Sequence, residues 1–199
     1  AYHIPVPREM NPRLVRLSAL LQKKGLKIRR INMKDFNREL NLVKDIYNSA
    51  WSENWGFVPL TDAEIKHLAQ NLKPLLVPEL TFFAEYKGEP VGFYLVLPDY
   101  NQVIKKMNGK MGPWQILKFL RGRKKITGLR LMLAGIKKEY QKKGLDALLY
   151  LESARASRDL GYQDSEISWL LEDNILVIRA AEMMGGKFYK KYRIYQKSF

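Results

Sequence analysis

The chain of 199 residues contains no cysteine. That absence excludes a disulfide framework, a thiolate metal site and a cysteine nucleophile, and it suits a cytoplasmic location. Histidine is almost as scarce. His3 and His67 stand far apart with no ligand spacing between them, so no metal is expected. Neither a Gly-x-Ser-x-Gly nor a Walker pattern occurs. No apolar run approaches the length of a membrane span, and the N-terminus lacks a signal-peptide pattern. Internal repeats and low-complexity tracts are missing too. The chain opens AYHIPVPREM, Pro-rich and without an initiator Met. Residues 1–26 are therefore read as an extended N-terminal segment, a linker from a longer protein, and residues 27–199 as one domain.

Acidic residues are also in deficit, 20 against 35 Lys and Arg, for a net charge of +15. The imbalance is local. Between Gln102 and Lys143 there are 13 cations and one acid, Glu139, a net +12. Such a field attracts phosphate, whether in nucleic acid, on an anionic membrane face or in a phosphate-rich cofactor, unless it is merely a solvated basic surface.

What is present is a mixture of strands and helices. Leu26 to Asn32 alternates apolar and basic residues, as a strand does. Phe36 to Ala50 places Leu40, Val43, Ile46 and Tyr47 on one helix face, with Asp35 as its cap. Thr61 and Glu64 form a capping box for a helix that stops before Pro74. Leu80 to Tyr86 and Pro90 to Leu97 flank the tight turn Lys87-Gly88-Glu89, a hairpin. Asp99 to Thr127 is broken by Gly109, Gly112 and Pro113 and reads as helical pieces. Leu129 to Ile136 is a strand, Leu145 to Leu160 a helix closed by Gly161, and Ser165 to Leu171 an alternating strand. Asn174 caps a helix ended by Gly185 and Gly186. The Tyr-rich tail, Lys187 to Lys197, is strand-like. The order implies an α+β domain around one twisted sheet.

The stretch LMLAGIKKEYQKKGLDALLYL runs strand, basic turn, helix. Unpaired N–H groups and the dipole at a helix start form an anion site. Gly144 allows close approach of a phosphate, and Lys142 and Lys143 add charge.

The turn resembles the acetyl-CoA loop of the GNAT N-acetyltransferases, Gln/Arg-x-x-Gly-x-Gly/Ala, here Gln141, Lys142, Lys143, Gly144, Leu145 and Asp146. Asn174 opening a helix that ends at Gly185 is similar to a second element of that family. The resemblance implies a three-layer acyl-CoA N-acyltransferase fold from about Lys27 onward, and it is strongest to bacterial GNAT-like proteins. It also implies acetyl-CoA or another acyl-CoA as co-substrate. Backbone amides of the loop would hold the pyrophosphate, and those of Ala134 and Ile136 the pantetheine arm.

Three departures stand out. Asp146 occupies a place where Gly or Ala is usual, and is expected to face away and support the helix start. Ala181 stands where the family has a tyrosine acid, which leaves Tyr189, Tyr192 or no side chain for that task. The 99–127 insertion separates strands that usually form a close hairpin, and is expected over the acceptor side, with Asp99, Tyr100 and Asn101 at its mouth as substrate candidates. Glu172, ahead of Glu166, is the candidate base for an amine nucleophile. The acceptor implied is a small-molecule or peptide amine. A non-catalytic CoA-binding or nucleic-acid-binding module is the alternative, the latter through basic residues interleaved with Trp114 and Phe119. A second GNAT-like domain or a homodimer through the tail's edge strand would be further partners.

Overall fold

A computed structural model describes residues 1–197. Seven strands form one sheet. They are β1 (Tyr2–Pro5), β2 (Leu26–Arg30), β3 (Thr81–Tyr86), β4 (Glu89–Pro98), β5 (Gly128–Ile136), β6 (Asp164–Ile167) and β7 (Lys187–Phe188), in the order β2-β3-β4-β5-β6-β1-β7. Every pair is antiparallel except β5 with β6, which run parallel. The helices are α1 (Pro12–Lys23), α2 (Phe36–Trp51), α3 (Asp62–Leu72), α4 (Asn101–Ile104), α5 (Pro113–Gly122), α6 (Leu145–Asp159) and α7 (Ile175–Met183).

Strand alternation sorts the core into two layers. Phe82, Ala84, Val96 and Leu129 turn to one face, where Leu145, Leu148 and Leu149 of α6 and Leu21 of α1 cover them. Phe83, Phe93, Leu95 and Leu97 turn to the other, beneath Ile46 of α2. Phe83 and Phe93 are fully buried, and each such side chain contributes about 2–3 kcal/mol by leaving water. Beside β6, Tyr2, Ile4 and Ile167 pack on Ala181 of α7.

Local signals explain the boundaries. Thr61 and Glu64 complete both halves of the capping box that starts α3. Lys87 and Gly88 both take positive φ, the turn whose twist matches a hairpin. Asn174 caps α7 by accepting from the Val177 N–H, 3.3 Å.

Four expectations are corrected. Residues 1–26 are not extended, because β1 pairs with β6 and α1 packs on α6. Asp35 makes no capping hydrogen bond; Asn32 accepts from the Lys34 N–H instead. Strand β6 stops at Ile167, four residues before the end of its alternation, because it has parted from β5 by then. Of the strand-like tail, only Lys187–Phe188 pairs in the sheet; Tyr189 to Lys197 has no regular structure, and the last two residues of the chain lie outside the described residues.

Candidate functional site

Strands β5 and β6 pair only from Gly128↔Asp164 to Leu131↔Ile167. Beyond Leu131 they diverge, and the last five residues of β5 border a gap. The direction of their peptide groups follows from alternation. The Lys137 N–H donates to the Val91 carbonyl of β4, 2.8 Å, so Gly135 and Leu133 bond the same way, and Ala134 and Ile136 turn their peptides toward the gap. Their carbonyls meet side chains there. The Trp51 indole donates to Ala134, 3.0 Å, and the Gln141 amide to Ile136, 3.0 Å. Their N–H groups meet no protein acceptor among the described residues.

The loop after β5 delivers the chain to α6. Gly144 takes φ +83 at the N-cap, and a Cβ there would press on Leu21 of α1 at 3.3 Å. Glycine thus meets both the backbone and the packing demand. The first α6 bond is Leu148 N–H to the Gly144 carbonyl. From Lys142 to Ala147, six successive N–H groups donate to no protein atom among the described residues. Lys138 pairs with Glu53 and Lys137 with Glu89, each at 2.7 Å, which pins the base of the loop. Lys142 has no such partner among the described residues, and Lys143 lies 5.0 Å over the Tyr140 ring.

An apolar cavity of about 50 Å³ lies between this part of the sheet and α6, lined by Ile4, Tyr94, Leu131, Tyr150, Ile167 and Met184, among others. Burial first, then the nearby Asp146 charge, pushes the Tyr94 phenol well above its ordinary range. Burial raises Tyr150 as well. These two phenols escaped sequence reasoning. Their only signal was a tyrosine on an otherwise apolar strand and another on the cavity stripe of α6.

Asp146 shares that stripe, one turn before Tyr150. It pairs with no cation among the described residues, and its charge acts on Tyr94.

On the opposite face of the sheet, at the apex of the gap, Glu166 gathers donors. Arg130 reaches it at 2.7 Å and the Ser168 hydroxyl at 2.6 Å; the Tyr189 hydroxyl also donates to it. Its side chain is only 16% exposed. Sequence reasoning had Glu166 and Tyr189 as separate candidates, and the structure joins them and adds Arg130 and Ser168. Glu172 is apart from this cluster. It is largely exposed and bound by Lys191 and Arg193, which hold its carboxyl below the ordinary range, Lys191 first. Asn174 is spent on its cap. Ala181 is 1% exposed and packs on β1 residues, so that position has no room for a phenol.

Asp99, Tyr100 and Asn101 are tied up structurally. Asp99 accepts from the Asn101 backbone and side chain, and the Tyr100 hydroxyl donates to Leu75, 3.0 Å. They lie where β5 begins, not where it parts from β6. The insertion therefore sits at the closed end of the β5/β6 pair, not over the gap. A nine-residue strand separates it from the loop, roughly 25–30 Å.

No protein-family model matches this chain. It is similar to "Bacterial ceramide synthase" of Caulobacter vibrioides (strain NA1000 / CB15N), 39% identical over 181 residues, which are 87% of this chain and 47% of that protein. It is also similar to "Protein YghO" of Escherichia coli (strain K12), 35% identical over 194 residues, 94% of this chain and 49% of that protein. The chain thus spans about half the length of the curated relatives it matches. Among solved structures, PH1933 from Pyrococcus horikoshii OT3 superposes with TM-score 0.59 at 20% identity, over 85% of this chain and 93% of that one. AAC(6')-Iy in complex with a bisubstrate analogue of CoA and acetylneamine gives 0.57 at 14%, over 87% and 99%. The acetyl-CoA complex of yncA from Salmonella typhimurium gives 0.55 at 13%, over 81% and 79%.

Proposed function

From a chain that has the fold of the GNAT acetyltransferases, we propose an acyl-CoA-dependent N-acyltransferase domain that joins an acyl group, acetyl or longer, to a primary amine. The observation that carries this reading is the run of six unpartnered N–H groups, Lys142 to Ala147, beside the β5/β6 gap. Fixed donors at a helix start suit a diphosphate. The free N–H groups of Ala134 and Ile136 suit the amides of a pantetheine arm lying along β5. Lys142 and Lys143 would offset the charge, and Asp146 would sit beside the arm.

The chemistry follows from the residues. The amine nitrogen attacks the thioester carbon, the C–S bond breaks, and CoA leaves as the thiolate, which takes a proton from solvent to become the thiol while the amine's own proton goes to Glu166. Backbone N–H groups on the open edge of β5 polarise the carbonyl. Glu166, approached through the Tyr189 hydroxyl it accepts from, takes the amine proton as the amide forms. Asp99, Tyr100 and Asn101 have no place in this scheme.

The Caulobacter relative's name directs the choice of acceptor. A ceramide is an amide of a fatty acid with a long-chain amino alcohol, so amines of that class come first. The test is thiol release from acetyl-CoA and from long-chain acyl-CoA against amines of that class and short polar amines. Release that depends on an amine supports the reading. Binding of CoA without turnover with any amine would favour a CoA-binding module, which the buried Ala181 also favours. No binding of CoA at all overturns both.

A further inference from the structure

We propose that the 99–127 insertion is a docking surface for an anionic lipid bilayer, lying flat in the interface through the outer face of α5. The starting point is an inversion of ordinary packing. Helix α5 buries none of its ten residues. At 100° per residue, Gln115, Phe119 and Gly122 form its inward side. That side is narrow by necessity, since a Cβ on Gly122 would come within 2.8 Å of Val103 of α4. The bulky side chains go outward. Trp114 is 68% exposed, Ile116 47% and Leu120 45%, with Met111 ahead of the helix at 78%. At 100° per residue Ile116, Leu120 and the half-buried Leu117 follow one another round the outer side as an apolar arc, and Arg121 stands between them and Trp114, which Lys118 borders.

Charge complementarity selects the occupant. From Tyr100 to Lys138 there is no acidic residue. Lys105, Lys106, Lys110, Lys118, Arg121, Arg123, Lys124 and Lys125 all belong to the same insertion as the apolar arc, and none of them makes an ion pair among the described residues. An apolar stripe with tryptophan, flanked by free cations on a surface helix, is the pattern of interfacial binding to anionic lipid. Among the described residues no helix is long and apolar enough to cross a membrane, so the contact would be superficial. A nucleic acid would be gripped by the same cations but leaves Ile116 and Leu120 without a role. The proposal is independent of the acyltransferase reading, because the insertion lies at the other end of β5 from the loop.

Flotation of the 199-residue protein tests it, with vesicles of equal parts phosphatidylglycerol and phosphatidylcholine against phosphatidylcholine alone. Binding is expected to the mixed vesicles only, to weaken with salt, and to bring a blue shift in fluorescence that Trp114→Phe removes. Ile116→Asn with Leu120→Asn should weaken it about tenfold. Lys124→Gln with Lys125→Gln should weaken it about thirtyfold, at roughly one decade for each 1.4 kcal/mol. All four residues are exposed, and unchanged thermal unfolding of the variants would establish that the fold is intact. No flotation with anionic vesicles, or flotation indifferent to Ile116 and Leu120, overturns the proposal. So does binding of a short oligonucleotide that the Ile116/Leu120 variant retains while vesicles are ignored.

Discussion

At its C-terminal end β5 runs into a loop whose first two lysines, Lys137 and Lys138, are anchored and whose later backbone N–H groups have no protein acceptor among the described residues. At its N-terminal end it meets an insertion whose backbone is folded into helices and whose lysines are free. Both ends are basic, yet they offer different things to an anion. The loop presents donors fixed in direction, with Lys137 and Lys138 already paired to Glu89 and Glu53. The insertion presents exposed ammonium and guanidinium groups beside an apolar arc. Fixed donors select one shape of phosphate; a diffuse field with apolar anchors selects a surface. Net charge alone does not separate the two cases, whereas the state of the backbone does.

The comparison can be broken most severely through the core. Leu149 is fully buried under the loop end, and Leu120 is exposed at the insertion end. Leu149→Ala should cost about 3 kcal/mol in urea unfolding, and Leu120→Ala less than about 0.5 kcal/mol. Comparable costs would mean that α5 packs inward after all.

Next in size is Gly144→Glu. It places a Cβ against Leu21, strains a residue at φ +83 and adds a carboxylate beside the six free N–H groups. CoA affinity by calorimetry should fall about a hundredfold or more, since like charges in contact cost several kcal/mol. Vesicle flotation should not change. Glu166→Gln should lower kcat about a hundredfold while the KM for acyl-CoA holds; Tyr189→Phe, which removes only a donor to Glu166, should do less. If KM rises instead, Glu166 serves binding and not proton transfer.

Smaller still is the exchange of lysines between the two ends. Lys142→Gln with Lys143→Gln should weaken CoA about tenfold and leave flotation intact, each charge being worth about 0.5–1 kcal/mol near a solvated phosphate. The converse pair, Lys124→Gln with Lys125→Gln, should leave CoA binding alone.

The smallest effect is that of acid on the anchors. Lys138 holds Glu53, and Lys137 holds Glu89, below the ordinary carboxylate range, each first through its hydrogen bond. A carboxyl lowered by folding adds stability above its unfolded value, about 4.3, and loses it as pH falls through the lower folded value. The thermal unfolding temperature should therefore fall slightly below that pH. Glu53→Gln with Glu89→Gln should flatten this slope, and an unchanged slope would show the anchors to be idle.

Much of this molecule was written locally. The capping box at Thr61, the turn at Lys87-Gly88, the Asn174 cap and the glycine opening α6 each depend on residues within four positions of one another, so periodicity and cap chemistry located them. The strand, basic turn and helix start that carry the free N–H groups were legible for the same reason, because they are contiguous. What the tertiary structure decided was every question of which distant groups meet. Glu166 stands with Arg130 and Tyr189 because β6 lies between β5 and β1 and the tail follows at the edge. Tyr94 and Tyr150 share one cavity because α6 lies across β4. The insertion sits away from the gap because β4 runs antiparallel to β5, so the chain leaves the sheet at the end where β5 and β6 are still paired. Strand direction and neighbour order are properties of the whole sheet, and no window of sequence holds them.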